Sequence, residues 1–266
     1  MNLPLDHQLF NTKKHYNMKR NLIFSAIIIG TYLLLNYGMR QLPRPEDYWI
    51  RFLIFNALPI LIIFVVTYLL HRGKVSVEDA LGVNKAFLPA FKKAFIMTLP
   101  MMLGYGLLAN FNITISMKSL FIGCIWAAFS EEITYRAFLF GQLFRFGKWP
   151  FLAAAVLNGL IFGIGHLYQA GGDYISAITI FMTTAIGGIW FAWMYIEWNN
   201  NIWIPMCLHF LMNLWWSAFD AGENAAGGVY ANIFRGATIA ISIYWTIKQK
   251  KERQLASTEN NVVETI

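Results

Sequence analysis

Long apolar stretches separated by short polar ones dominate the pattern of this chain of 266 residues. A helix needs about 20 mostly apolar residues to cross the hydrocarbon core of a bilayer. The stretches that meet this length approximately are 21–38, 52–70, 94–111, 119–143, 150–167, 175–195, 201–219 and 228–247. The pattern therefore predicts an all-α, polytopic membrane helix bundle of about eight transmembrane helices.

Composition supports this class. Hydrophobic residues make up 57% of the chain and charged residues 13%, whereas an average soluble domain carries about 25% charged residues. The net charge of +7 comes from basic residues that flank apolar stretches instead of forming a phosphate-binding stripe. We therefore expect the lipid bilayer, and not a nucleic acid, as a partner.

Lysines and arginines also predict the orientation of the bundle. With the N-terminus inside, fifteen of the 21 fall on the inner side and two within spans. The outer loops hold the other four, Arg40, Arg44, Arg51 and Lys118. This bias predicts that both termini are cytoplasmic.

No polar stretch is long enough for a second folding unit. We expect a cytoplasmic N-terminal tail (1–20), one integral membrane domain (21–247, with its motif core at 119–219) and a polar C-terminal tail (248–266). Compactness suggests a multi-pass protein of a prokaryotic cytoplasmic membrane.

Two local features lead to further expectations. The segment 75–93 is either an amphipathic interfacial helix that starts after Ser76 or an ordinary polar connection. Six tryptophans near predicted span ends are expected to anchor the protein at the interface. They are Trp190, Trp193, Trp198, Trp203, Trp215 and Trp216.

The fourth predicted span contains the most unusual residues, Glu131, Glu132 and Arg136. A carboxylate at bilayer depth costs at least ~2.5–3.5 kcal/mol, so such a cluster suggests a functional site. Glu132 and Arg136 are four residues apart and can pair on one helix face. Glu131 is rotated by about 100° from Glu132 and points elsewhere.

Two further spans carry polar pairs at the same four-residue spacing: Phe162 with His166, and His209 with Asn213. At about 1.5 Å of rise per residue, Glu131, His166, His209 and Asn213 come to similar depths. Polar groups from three helices that meet at one depth predict a shared site.

These side chains suit the activation of water. A glutamate and a histidine can accept its proton, and a histidine and an asparagine can donate hydrogen bonds to a developing oxyanion. We expect no cofactor, although a zinc ion held by Glu131, His166 and His209 is an alternative. The structural alternative is that the histidines bond neighbouring helices and that Glu132 and Arg136 form only an ion pair.

The three motifs in this order resemble those of the CPBP (Abi) family, which groups type II CAAX prenyl proteases with bacteriocin-processing and immunity proteins. The motifs are Glu131-Glu132-x-x-x-Arg136, Phe162-x-x-x-His166 and His209-x-x-x-Asn213. The resemblance covers roughly residues 119–219. Ala137 stands where many members have glycine.

The resemblance implies an intramembrane glutamate-dependent endopeptidase. By that analogy Glu131 and His166 activate water, and His209 and Asn213 form the oxyanion hole. Glu132, Arg136 and Phe162 support the motifs.

The expected substrate is a membrane-associated protein or peptide: a CAAX-type prenylated tail, a peptide pheromone or a bacteriocin precursor. The sequence does not distinguish these substrates, nor does it fix the oligomeric state. A non-catalytic bacteriocin-immunity or scaffold protein is one alternative function, and a proton-coupled transporter is another.

Overall fold

The computed structural model describes the backbone of residues 5–263 and the side chains of residues 18–257. This part of the chain is helical and contains no strand, which confirms the predicted all-α class. Its helices are α1 (Leu5–Leu33), α2 (Tyr48–His71), α3 (Val77–Leu81), α4 (Phe87–Met97), α5 (Leu99–Leu108), α6 (residues 119–146), α7 (Phe151–His166), α8 (Tyr174–Glu197), α9 (Trp203–Ala218) and α10 (Val229–Val263).

Each predicted span lies on one or more helices. Within the described residues, four helical stretches are long and apolar enough to cross a membrane. They are Met18–Gln41, Tyr48–His71, Phe151–Ala170 and Tyr174–Glu197. Their lengths of 20 to 24 residues match a hydrocarbon core of about 30 Å, and they identify an integral membrane protein.

The third predicted span, 94–111, is not one uninterrupted helix. α4 ends at Met97, Thr98 leaves helical geometry with φ −91° and ψ 1°, and α5 begins at Leu99. Pro100 has no N–H to donate to the carbonyl of Ile96, so an α-helix cannot continue unbroken through this point. Since α4 begins at Phe87, the predicted span also starts inside a longer helix.

Between α2 and α4 the chain forms a short helix. The Ser76 side chain accepts a hydrogen bond of 3.1 Å from the backbone N–H of Asp79, so it caps α3 as predicted. Gly82 ends α3 with φ +76°, and a Cβ at this position would lie 1.9 Å from the carbonyl oxygen of Asn200. Only glycine fits this close approach.

Buried polar groups fasten α3 to the end of the bundle that holds the C-terminus of α2. His71 Nε2 lies 2.6 Å from Gln142 Oε1, and Gln142 donates to the carbonyl of Ala80 at 3.0 Å. Arg145 donates to the same carbonyl at 2.9 Å and to the Tyr195 hydroxyl at 2.9 Å. These bonds close this end, which we call the sealed end.

α6 is the irregular central helix. Its residues 119–126, 132–140 and 142–146 form wide π-helical turns. Such turns are rare in proteins and are frequent at functional sites. From residue 132 to residue 143 most of its side chains are buried, among them Phe138 and Phe140.

α7 and α8 approach closely at two glycines. A Cβ on Gly188 would lie 3.1 Å from the Cα of Gly159, and a Cβ on Gly159 would lie 2.7 Å from the carbonyl oxygen of Ala185. The Asn158 side chain donates to the carbonyl of Gly188 at 3.1 Å. This contact places α7 directly against α8 and fixes the position of Phe162, one turn further along α7.

Helix continues into both ends of the chain that the sequence assigns to tails. α1 begins at Leu5 and α10 continues to Val263, so helix extends beyond the predicted span limits at 21 and 247. The described part leaves out residues 1–4 and 264–266 and the side chains of residues 1–17 and 258–266. Large parts of both predicted tails therefore lie outside it.

Two of the six tryptophans contradict the prediction of interfacial anchoring. The exposed fractions of Trp190 and Trp198 are only 9% and 7%. The Trp198 indole N–H donates to the Thr246 hydroxyl at 2.9 Å. These two rings pack the contact between helices, because α9 and α10 cover the side of α8 on which they lie.

Candidate active site

The predicted pairing of Glu132 with Arg136 is confirmed. Glu132 Oε1 lies 3.3 Å from Arg136 Nη1, and both side chains are fully buried. A buried ion pair is destabilising when one partner is removed, because the other is then an uncompensated charge in a dry environment. Each of the two buried charges therefore needs the other, or another compensating group, close by.

Aromatic rings provide those surroundings. The Arg136 guanidinium carbon lies 4.2 Å from the ring centre of Phe162 and 5.2 Å from that of Phe191. Its nitrogens have no hydrogen-bond acceptor among the described residues. The cation is held by Glu132 and by the faces of two rings, whose π electrons attract a desolvated cation. Phe162 therefore covers the ion pair, which gives this motif residue a physical role.

His209 lies between the two glutamates. Its Nδ1 is 2.8 Å from Glu132 Oε1, and its Nε2 is 3.9 Å from Glu131 Oε2. The imidazole also stacks on Phe191, with ring centres 5.6 Å apart and planes inclined by 20°. Since an ionised carboxylate only accepts hydrogen bonds, Nδ1 carries the hydrogen when Glu132 is ionised. The second nitrogen of the ring then faces Glu131.

Glu131 has different surroundings from Glu132. Its side chain is 28% exposed and lines a cavity of about 490 Å³ between α1, α2 and α6. Ser130, Thr134 and Tyr135 of α6 line the same cavity. Both glutamates approach His209, but only Glu131 also lines the cavity, where it can meet a molecule that enters.

His166 is positioned by its own helix. Its Nδ1 lies 2.7 Å from the carbonyl oxygen of Phe162, and the two rings are 4.3 Å apart. Since a carbonyl only accepts, Nδ1 is the donor and Nε2 of the neutral ring is left as an acceptor. In the described part of the chain His166 makes no hydrogen bond or ion pair with either glutamate.

Asn213 is one turn beyond His209 on α9. Its Nδ2 donates to the carbonyl of Gly123 at 3.1 Å, which ties α9 to the first, π-helical part of α6. The structure therefore brings Glu131, Glu132 and His209 into one group with Arg136. His166 lies on α7, one turn beyond Phe162, and Asn213 lies on α9, one turn beyond His209. Each of the two side chains bonds to a backbone carbonyl and not to this group.

No group of three or more His, Cys, Asp or Glu side chains within the described part is arranged to hold a metal ion. Glu131, His166 and His209 therefore do not form the ligand set that the zinc alternative requires.

Arg235, the other arginine within a predicted span besides Arg136, does not lie in this group. It donates to the carbonyls of Ala225 and Ala226 at 2.8 and 3.1 Å.

The walls of the cavity were not predicted from the sequence. α1, α2 and the segment between them contribute Leu35, Asn36, Arg40, Arg44, Arg51, Phe55, Asn56, Pro59, Ile60 and Ile63. One signal was available, because the three arginines belong to the small group of cations expected in the outer loops. Their position close to the predicted carboxylate of Glu131 follows only from the packing of α2 on α6.

Comparison with known proteins identifies one family model that matches the central part of the chain. Residues 113–215 match the family model described as type II CAAX prenyl endopeptidase, Rce1-like. The matched segment contains all seven residues of the three motifs and ends before α10. No curated protein and no solved structure matches the chain. Over residues 113–215 the chain is therefore similar to the Rce1-like domains of the CPBP family.

Proposed function

We propose that this protein is an intramembrane glutamate-dependent endopeptidase that hydrolyses a peptide bond of a membrane-associated protein or peptide. One observation carries the proposal: two adjacent glutamates share one histidine, and only Glu131 also reaches the cavity. A purely structural cluster would have no reason to leave a carboxylate on a cavity wall.

In the proposed reaction Glu131 accepts a proton from a water molecule whose oxygen attacks the carbonyl carbon of the scissile bond. The unprotonated Nε2 of His166 is a second acceptor for this water. The tetrahedral intermediate then breaks its C–N bond, and the proton held by Glu131 passes to the departing nitrogen. No covalent enzyme intermediate and no cofactor is required.

His209 and Asn213 stabilise the oxyanion in this proposal. With Nδ1 donating to Glu132, Nε2 of His209 can donate only when the ring is doubly protonated. Glu132 Oε1, 2.8 Å from Nδ1, holds the ring in this orientation. Glu132 thus acts through His209, and Arg136 with Phe162 keeps Glu132 in place.

We further propose that residues 21–247 form one domain of eight crossings in the cytoplasmic membrane of a prokaryote, with both termini cytoplasmic. Arg40, Arg44 and Arg51 line the cavity at the end of the bundle opposite the sealed end. A peptide at the outer face then reaches Glu131 directly. A prenylated tail on the cytoplasmic side reaches it only if the bundle is inverted.

The orientation is testable with single cysteines. A membrane-impermeant maleimide added to intact cells should label Arg44→Cys and should not label Arg72→Cys. Cys124 and Cys207 are buried, so both variants start from a low background. The opposite labelling would invert the bundle and favour cytoplasmic substrates.

Catalysis is tested by comparing membrane and released peptides from cells with wild-type protein and with Glu131→Ala. We expect one or more peptides to be cut only with the wild type, and the purified protein to cut them again in detergent. Full activity of Glu131→Gln would overturn the proposal. Cellular protection that survives Glu131→Ala combined with His209→Ala would favour an immunity or scaffold role, and Glu131-dependent flux in proteoliposomes would favour a transporter.

A further inference from the structure

The cavity beside Glu131 has a strongly basic mouth. Arg40, Arg44 and Arg51 all line it, and Glu131 is the acidic residue among the lining side chains. Arg40 and Arg44 are exposed and Arg51 is half-buried. Arg40 and Arg44 come from the segment that follows α1, and Arg51 comes from the first turn of α2, so folding gathers charges that are separated along the chain.

None of these arginines is neutralised within the described residues. The ion pairs there involve other cations, and the three guanidinium groups donate no hydrogen bond to a described residue. Asp47, the nearest acidic residue in sequence to Arg51, is used as the cap of α2 and accepts from the N–H of Ile50 at 2.8 Å.

More positive charge lies next to the mouth. Arg51 and Lys118 approach the ring of Tyr48, at 5.9 and 5.8 Å from its centre. All four cations that the sequence assigns to the outer loops are thus at or beside this cavity. Cations on that side oppose the usual charge bias of membrane proteins, so their collection at one cavity calls for a ligand that uses them.

The distance from the mouth to Glu131 fits a short peptide. The rings of Phe52 and Trp126 are 5.0 Å apart, which places the first turn of α2 level with Trp126. Glu131 is five residues further along α6, or about 7.5 Å of helical rise. An extended peptide advances about 3.3 Å per residue, so two to three residues cover this distance.

The remaining walls also suit a peptide. Asn36, Asn56, Ser130 and Thr134 offer hydrogen-bonding groups for a peptide backbone, and Ile60 offers apolar contact for its side chains. At the mouth, arginine binds a carboxylate through two parallel hydrogen bonds, which a lysine cannot reproduce.

We propose that Arg40, Arg44 and Arg51 form a subsite for a substrate carboxylate two to three residues away from the scissile peptide bond. This inference rests on the proposed protease function and adds a specificity determinant outside the segment that matches the family. The carboxylate is either the free C-terminus of the substrate or an acidic side chain.

The test uses the full-length enzyme in phosphatidylcholine proteoliposomes and a peptide that it cuts. Four versions of the peptide are compared: free acid or amide at the C-terminus, each with Glu or Gln two to three residues from the cut. We expect the preferred carboxylate to raise kcat/KM about 10-fold to 100-fold. The acid–amide pair identifies the C-terminus as its source, and the Glu–Gln pair identifies a side chain.

Arg40→Gln combined with Arg44→Gln should lower kcat/KM for the preferred acidic peptide to the value for the neutral peptide. Arg72→Gln, an exposed arginine near the sealed end, is the matched control and should retain the preference. Wild-type enzyme that cuts all four peptides equally would overturn the inference, and this result needs no variant to fold.

Two other outcomes are separable. If the double variant loses activity equally on all four peptides, and only when phosphatidylglycerol is added to the vesicles, the arginines bind lipid headgroups and the inference is wrong. If wild-type enzyme cuts no peptide in a Glu131-dependent manner, the protease function itself fails.

Discussion

The two faces of α6 carry adjacent glutamates in opposite environments. On the buried face Glu132 is fully enclosed, paired with Arg136 and covered by phenylalanine rings. On the open face Glu131 lines a cavity whose mouth holds three arginines. If the proposed function is right, one charge is buried to hold the site together, while its neighbour is partly exposed for chemistry. Variants should therefore separate stability from activity.

The largest expected effect is on the open face. Glu131→Gln keeps the shape of the side chain but removes the proton acceptor, so kcat should fall by about 1,000-fold. Thermal unfolding should change little, because the side chain is partly exposed. Peptide hydrolysis by the purified variant measures kcat, and a melting curve in the same detergent measures the stability. A large loss of stability with retained activity would reverse the roles of the two faces.

On the buried face Arg136→Met should act on stability. It leaves Glu132 as an unpaired buried charge, at a cost of about 3–5 kcal/mol. Adding Glu132→Gln removes that charge, so the double variant should be more stable than Arg136→Met alone. Thermal or denaturant unfolding of four proteins, the wild type, Arg136→Met, Glu132→Gln and the double variant, tests this coupling. Additive losses would mean that the two side chains do not depend on each other.

The packing that holds Phe162 over Arg136 can be weakened at a distance. Gly159→Ala forces a methyl group against the carbonyl of Ala185 and should cost about 1–3 kcal/mol. Gly187→Ala on the facing helix is the matched control, since a Cβ there meets nothing within 4 Å. It should leave the melting temperature unchanged or raise it, because alanine favours helix more than glycine does. Equal effects of both variants would show that close approach of α7 and α8 is not required.

The smallest effect is expected at Phe191. Phe191→Leu keeps apolar volume but removes the ring that stacks on His209 and faces Arg136. An aromatic contact of this kind contributes about 0.5–1.5 kcal/mol, so kcat/KM should fall about 2-fold to 10-fold, chiefly through kcat. Phe191→Tyr is the control that keeps the ring. A Leu variant with wild-type kcat would mean that His209 is oriented by Glu132 alone.

The helical class and the key residues of α6 could be predicted from the sequence because both depend on local pattern. Apolar length predicts helices in a membrane, and a four-residue spacing predicts the pairing of Glu132 with Arg136. The link from His209 to both glutamates could not be predicted in this way. This link depends on how α9 packs against α6. The sequence indicates only that Glu131 and His209 lie at a similar depth in the membrane.

The errors have equally specific causes. Hydrophobicity alone predicts one helix over 94–111, but Pro100 cannot donate to the carbonyl of Ile96, and the chain leaves helical geometry at Thr98. Trp190 and Trp198 were assigned to the membrane interface by their place in sequence, whereas neighbouring helices cover them. The cavity walls could not be predicted from the sequence because α1 and α2 carry none of the three motifs.

The sealed end has a consequence for transport. An alternating-access carrier must open each end of its pathway in turn. Here the end opposite the cavity is closed by hydrogen bonds from Gln142 and Arg145 to the backbone of α3, and opening it would leave several buried polar groups without partners in every cycle. With this end held by hydrogen bonds, a substrate that enters the cavity beside Glu131 leaves as products by the same route, and no pathway for ions has to open across the membrane.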